Sequence, residues 1–371
     1  MGGQALERER ETSVGANKEQ RDPEQERRDR IRKAIADINR RYQVRTGDSD
    51  PIIYSPAEHP ELVVTEFLPF GIYPLDQALG GGIPKKCISS LYGAPYSGKT
   101  TAAFYLMAQT QKGGGNILYF MTEGPYPEEA ERLSGLKRDD SFYLLDVAEH
   151  AEIGLNSILD LIYDTSIGMP TGNFDLVVID SIKGLLSKRE ADKVKDDGLE
   201  GVTTASLPVL TSWLTRNIVG RGVLRKGLAI LCVNQTTTTI DSNPHLSGQQ
   251  KQAGGNAMSF MPKVLIQLTR RDPKKDTKNN PIGHTVGFQV VKNNVVGSPA
   301  AGSYDVTYGY GVDQTEAAIE QGILTKSIVQ PRKGKYEISM DGTTVEIAGI
   351  DGLRKWLRER PEVQRQLLEE T

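Results

Sequence analysis

The sequence predicts an α/β fold: a mainly parallel sheet flanked by helices, with an N-terminal helical arm and a small α+β C-terminal domain. Three observations carry this reading. Short, continuously apolar runs alternate with longer segments of helical periodicity, the pattern of strands covered on both faces. A glycine-rich turn stands between one such run and the helical segment after it. Beyond about Val312 the alternation gives way to two helical segments that enclose a short hairpin.

In chain order, residues 1–28 are polar and mixed in charge, with too little apolar surface to offset their ordering entropy, and are expected to be disordered. Ile31, Ala34, Ile35, Ile38 and Tyr42 then recur at helical spacing and mark one amphipathic helix. Residues 29–60 make up this arm and a linker punctuated by Pro51, Pro56 and Pro60. Residues 61–311 form the core. Its strands are expected at Cys87–Tyr92, Asn116–Met121, Phe174–Ile179, Leu228–Val233, Val264–Leu268 and Gly287–Val291, with a helix over Thr100–Gln111. Asp272–Pro281 is charged and turn-rich and reads as an exposed hairpin loop. Residues 312–371 form the C-terminal domain. Helices are expected over Gln314–Gln321 and Gly352–Glu370, and Lys335–Ile338 pairs with Thr344–Ile347 around Asp341-Gly342.

A chain of 371 residues has room for two or three domains, and 25% charged residues is an ordinary globular proportion. The net charge of −3 gives no bulk attraction for anions, so an anion site must be a local patch. Two cysteines, Cys87 and Cys232, are too few for a disulfide scaffold or a thiolate cage, and both read as core residues. The histidines at 59, 150, 245 and 284 show no metal-ligand spacing. No apolar run approaches the roughly 20 residues of a membrane span, and no signal-peptide pattern opens the chain. A cytoplasmic protein is the expectation.

Gly93-Ala94-Pro95-Tyr96-Ser97-Gly98-Lys99-Thr100 fits G-x-x-x-x-G-K-[ST] in full. The glycines let backbone N–H groups turn inward around phosphate oxygens, and the helix that opens here adds its positive end. Lys99 reaches the outer phosphates, and Thr100, followed by Thr101, offers a hydroxyl to Mg²⁺. A phosphate loop needs a second-strand acid. Four apolar residues, Leu176–Ile179, lead to Asp180 at a carboxyl strand end; Asp175, at the other end, reads as solvated. Glu123 follows the strand Asn116–Met121, where a carboxylate can take a proton from an attacking water. Asn234-Gln235 closes the strand Leu228–Val233, and a neutral amide there can sense a γ-phosphate without adding charge.

The ordered series of phosphate loop, Glu123, Asp180-Ser181, Asn234-Gln235, a long loop and Gly254-Gly255-Asn256-Ala257 resembles the RecA family of recombination ATPases, including the phage UvsX-type recombinases. Leu75–Pro84, Val290–Asn293 and Tyr308–Gly311 add to the likeness. The resemblance implies a RecA-like P-loop core and a DNA-dependent ATPase that hydrolyses ATP to ADP and phosphate with Mg²⁺. It implies filaments on single-stranded DNA, pairing with double-stranded DNA, and strand exchange. Single-strand-binding or loader proteins are further partners it suggests, in the cytoplasm or in the host cytoplasm for a phage-encoded member. Glu123 resembles the catalytic carboxylate and Gln235 the γ-phosphate sensor. Lys292 resembles a cation reaching into the neighbour's ATP site, and Tyr126 is the candidate to stack on adenine. Thr236–Ala253 resembles the second DNA loop, with Thr236, Thr237, Thr239, Lys251, Gly254, Gly255 and Asn256 as DNA contacts and Ile240 as a wedge between bases. The first DNA loop is expected near Glu190–Val202. Phe260 stands at a position used at the subunit interface or in the core. The alternatives are a ring-forming helicase or translocase of the same fold, and a RecA-like paralogue that regulates a recombinase.

Overall fold

The computed structural model describes residues 22–46, 52–55, 64–122, 124–147, 174–182, 227–238, 250–252, 255–297, 300–340 and 342–369. The chain divides into two compact units, Met1–Val63 and Val64–Thr371.

In the first unit, α1 spans Pro23–Thr46. It starts eight residues earlier than the apolar periodicity suggests, inside the stretch expected to be disordered. The reason is local. Asp22 accepts the Glu24 N–H at 3.1 Å, and Pro23 takes the first helical position, where its missing N–H does no harm. Polar pairs such as Glu24–Arg28, at 3.4 Å, then carry the first turns. Ile31, Ile38 and Tyr42 on the predicted stripe are exposed. Asn39 holds the segment that follows, accepting the Ile52 and Ile53 N–H groups at 3.0 and 2.9 Å.

The second unit opens with β1 (Phe67–Leu68), α2 (Tyr73–Leu79) and β2 (Ile83–Pro84), the two short strands pairing antiparallel. Asp76 organises this stretch by accepting the N–H groups of Phe70, Gly71 and Ile72 at 2.7, 2.8 and 3.1 Å. The core follows with β3 (Ile88–Gly93), α3 (Lys99–Lys112), β4 (Ile117–Met121), α4 (Glu128–Ser134), β5 (Phe142–Asp146), β6 (Leu176–Asp180), β7 (Ala229–Thr238) and β8 (Gln250–Gln252). Then come α5 (Gly255–Phe260), β9 (Val264–Lys275), β10 (Pro281–Asn293), β11 (Ala300–Thr307) and β12 (Gly311–Asp313). Among the described residues, these strands form one sheet in the order β12-β11-β10-β9-β3-β7-β6-β4-β5, with β8 paired on β7.

From β9 to β5 every neighbour is parallel; from β9 outward, β10, β11 and β12 form an antiparallel meander. Half of the stretch Asp272–Pro281 is strand, with the turn confined to Asp276–Asn280, where Asp276 accepts three hydrogen bonds from Lys278 and Asn280. Helix α3 buries Ala102, Ala103, Phe104, Leu106 and Met107 in the same cluster as Leu91, Ile117, Leu176, Leu231 and Ile266 of the sheet. Cys87 and Cys232 are buried, as expected, and burial pushes the Cys232 thiol up to about 12. Asp175 is not simply solvated: it pairs with Lys85 at 3.0 Å and accepts the Asn116 N–H at 3.0 Å.

After β12 come α6 (Thr315–Thr325), β13 (Ile328–Arg332), β14 (Lys335–Met340), β15 (Thr343–Ala348), α7 (Ile350–Arg358) and α8 (Pro361–Glu369). The expected hairpin is β14–β15, and β13 adds a third strand to it. The single helix expected over Gly352–Glu370 is two, because Pro361 cannot donate its N–H and drives Arg360 out of helical geometry. A separate apolar cluster, including Ile319, Ile328, Ile338, Leu353 and Leu367, sits within these elements. Arg358 to Asp313 (3.0 Å) and Tyr73 Oη to Gln321 (2.6 Å) tie them to the core. No described helix is long and apolar enough to cross a membrane.

Candidate active site

The sheet's registers bring the predicted residues to one edge. Gly93 ends β3 beside Gln235 of β7; Asp180 ends β6 beside Met121 of β4 and Val233 of β7. Carboxyl ends of parallel strands collect ligands because loops and helix N-termini open there. Gly93 must be glycine on steric grounds, since a Cβ would lie 2.3 Å from the Leu268 carbonyl oxygen and 2.6 Å from Ser97 Oγ. Gly98, at φ 88°, turns the chain into α3 in a conformation that L side chains rarely adopt.

A cavity of about 370 Å³ opens at this turn, lined by Tyr96, Ser97, Gly98, Lys99, Thr100 and Thr101 and, from the antiparallel meander, by Arg270, His284, Val306 and Tyr308. Lys99 Nζ donates to the Ala94 carbonyl at 2.8 Å, so its ammonium lies folded over the loop. Thr100 Oγ1 donates to Asp180 Oδ2 at 2.8 Å. Behind them Thr122 Oγ1 donates to the Ser181 carbonyl at 2.7 Å and accepts the Ser181 N–H at 2.6 Å, coupling the ends of β4 and β6. The donor set suits Mg²⁺, which takes hard oxygen ligands, because a hydroxyl and a carboxylate already converge. Ser97 Oγ, fully buried with no partner, is a further oxygen in the cradle.

Beta strand β7 does not close at Asn234-Gln235. It runs on to Thr238, and Thr236, Thr237 and Thr238 pair with Gln252, Lys251 and Gln250. The expected DNA loop therefore rises on a two-stranded stem, whose first residue follows Gln235. Asn234 is buried and its Oδ1 accepts the Gln235 N–H at 2.9 Å. Gly255 and Asn256 open α5. Phe260, at the other end of α5, is 73% exposed, which removes it from the core.

Lys292 Nζ donates to the Phe260 carbonyl at 2.7 Å. It faces Leu265, which is in register with Ser90, so it lies three residues back along the sheet from Gly93 and two strands away. At about 3.3 Å per residue this is roughly 10 Å along the strand alone, out of line with its own phosphate loop. Burial, then the charge of Lys263, lowers its pKa. Tyr126 is not among the residues that line this cavity. Its ring lies edge-on to Phe104 at 6.0 Å and under the Arg138 guanidinium at 5.2 Å, and it lines a different cavity with Phe142 and Leu144. Packing against Phe104 holds it there, and the aromatic rings that reach the phosphate-loop cavity are Tyr96 and Tyr308. Glu123, Thr239, Ile240, Gly254 and the stretch Glu190–Val202 lie outside the described residues, as do the side chains of Thr237, Lys251 and Asn256.

No sequence motif marks Arg270, His284 or Val306. They meet the loop only because the meander β9–β11 folds back beside it, a non-local event with no motif of its own.

A family model described as the RecA N-terminal domain matches residues 30–313. The chain belongs to the RecA family. Protein RecA of Oleidesulfovibrio alaskensis is 29% identical over 353 residues, covering 94% of this chain and 93% of that protein. Protein RecA of Laribacter hongkongensis is 30% identical over 302 residues, covering 80% and 78%. As a RecA-family protein it is a DNA-dependent ATPase that uses ATP with Mg²⁺, and a recombinase that forms filaments on DNA and promotes strand exchange.

Proposed function

We propose that this recombinase gates its grip on DNA through Gln235, the joint between the phosphate loop and the threonine stem. The observation that carries this is the register of β7: Gln235 lies beside Gly93, and the next three residues form the ladder with Gln250–Gln252. A γ-phosphate on the loop would draw the Gln235 amide toward it and order the stem; loss of that phosphate would release it.

The other roles follow from position. Lys99 holds the outer phosphates once it leaves the Ala94 carbonyl. Thr100 and Asp180 would hold the metal ion, which when bound neutralises phosphate charge. Glu123 acts as the base for water. Lys292 is directed to the ATP site of a neighbouring subunit, because its own loop is out of line. Along the expected DNA loop and the glycine-rich stretch after it, Thr236, Thr237, Thr239, Lys251, Gly254, Gly255 and Asn256 meet DNA, and Ile240 wedges between bases. Hydroxyls and backbone N–H groups dominate this set, so the loop itself adds little salt dependence. The stripe Ile31–Tyr42 of α1 serves as the arm that a neighbour buries, and Phe260 serves the same interface. Loader or single-strand-binding proteins act in the same cytoplasmic setting.

Electron microscopy with single-stranded DNA and a non-hydrolysable ATP analogue, with strand exchange measured on the same preparation, tests the function. Continuous filaments that proceed to exchange once ATP is supplied are expected. Closed rings, or turnover with neither filaments nor exchange, would overturn it.

A further inference from the structure

A cavity of about 690 Å³ opens between the core and the C-terminal elements, and it shares no lining residue with the one at the phosphate loop. Two helix faces reach it. Helix α3 contributes Tyr105, Gln109 and Lys112, and α8 contributes Pro361, Gln364, Arg365 and Leu368. Each set recurs every three or four residues, so each is one face of its helix. The apolar clusters of the core and of the C-terminal elements are separate, and neither fills this space. Hydrogen bonds brace the lining. Tyr105 Oη donates to the Leu133 carbonyl at 3.2 Å and accepts the Val312 N–H at 2.9 Å. Gln314 donates to the Gly71 carbonyl at 2.8 Å and accepts the Tyr73 N–H at 2.9 Å. Buried Gln364 donates to the Leu357 carbonyl at 2.8 Å. These bonds cross between elements, so the cavity is formed before any ligand arrives, as small-molecule sites usually are.

We propose that this cavity is a binding site for a small organic anion with an aromatic body, held between the core and the C-terminal elements. Its volume falls within the roughly 300–1,000 Å³ of pockets that enclose such ligands. The charged side chains of the lining are Lys112, Arg365 and Asp76. Asp76 already gives both carboxylate oxygens to the N–H groups of Phe70, Gly71 and Ile72. Arg365 Nε donates to the Pro361 carbonyl at 3.3 Å, and among the described residues no carboxylate pairs with its guanidinium. Two cations against one committed carboxylate leave a single positive charge in surplus, which matches a monoanion rather than a polyphosphate. Tyr73, Tyr105 and Tyr310, with Leu133, Val312 and Leu368, supply surface for a flat apolar body. A ligand that touches both α3 and α8 also ties the C-terminal elements to the core, so binding should raise the melting temperature.

Two fluorescent probes of similar shape read the site: 1-anilinonaphthalene-8-sulfonate, an aromatic monoanion, and N-phenyl-1-naphthylamine, its neutral counterpart. Each is titrated into the full-length chain with a saturating non-hydrolysable ATP analogue present, so that the phosphate loop is already occupied. The wild-type chain should bind one sulfonate probe per chain, more tightly than the neutral one, and melt at a higher temperature with it. Lys112 and Arg365 are exposed and stand on different helices, so Lys112→Gln and Arg365→Gln should fold as wild type does. Each should weaken the sulfonate probe about fivefold and leave the neutral probe unchanged. Lys333→Gln, at an exposed cation between β13 and β14 outside the lining, should change neither. Absence of saturable binding, a sulfonate affinity unchanged by both lining substitutions, or an equal loss in Lys333→Gln would overturn the proposal. So would binding seen only when the ATP analogue is omitted, which would place the probe at the phosphate loop.

Discussion

Lys99 and Glu123 occupy different places in the chemistry, and their variants should fail differently. Lys99 lies at the first turn of α3 over the phosphate loop, so Lys99→Ala should abolish ATP turnover by removing the outer-phosphate contact. Glu123 follows β4, beyond Thr122, so Glu123→Gln should bind ATP normally and lose roughly 10²–10⁴-fold in rate, the usual effect of removing a general base. Comparing nucleotide affinity with single-turnover hydrolysis in both proteins checks this, and a Glu123→Gln chain that hydrolyses at the wild-type rate would remove Glu123 from the mechanism. Lys99, Thr100 and Asp180 were legible in the sequence because phosphate chemistry demands fixed residue types beside a strand end. His284, Arg270 and the position of Tyr126 were not legible. They depend on which strands fold beside the loop and on which aromatic neighbour, here Phe104, captures a ring.

At the scale of elements, two segments carry sharp expectations. Asp76 closes the turn before α2 with three backbone N–H groups. Burial pushes its carboxyl up to about 7, while those three donors pull the other way. Asp76→Asn would place an amide N–H against a backbone N–H, and should destabilise the fold by about 1–3 kcal/mol, read as a lower urea midpoint. An unchanged midpoint would mean that the carboxylate is dispensable. The stem β7–β8 carries the second expectation. Ile240→Ala should bind single-stranded DNA nearly as well as wild type but lose strand exchange, because unstacking, at a few kcal/mol per step, is the work assigned to a wedge. Normal exchange by that variant would show that Ile240 is not the wedge. Strands buried on both faces announced themselves through continuous apolar runs, and β3, β4 and β6 lie where expected. The polar stem Thr236–Thr238 and the outer ends of β9 and β10 carry the composition of loops. Backbone pairing extends these strands past their apolar stretch, and alternation gives no warning of that.

For the whole molecule, we expect subunits to share ATP sites and the two ligands to communicate. Lys99→Ala and Lys292→Ala should each be inactive alone, yet mixing them should restore part of the ATPase, since some interfaces then pair an intact loop with an intact Lys292 from the neighbour. No recovery at any mixing ratio would place Lys292 outside the shared site. The most direct measurement is the thermodynamic coupling itself. Single-stranded DNA affinity is determined with and without a non-hydrolysable ATP analogue, and analogue affinity with and without DNA, in wild type and in Gln235→Ala. Linkage requires the two factors to be equal, and couplings of this kind run to roughly 5–150-fold. The wild-type chain should show equal factors well above one, and Gln235→Ala should still bind each ligand alone while both factors fall to about one. A Gln235→Ala protein that kept the full coupling would contradict the claim that this residue joins the phosphate loop to the DNA stem.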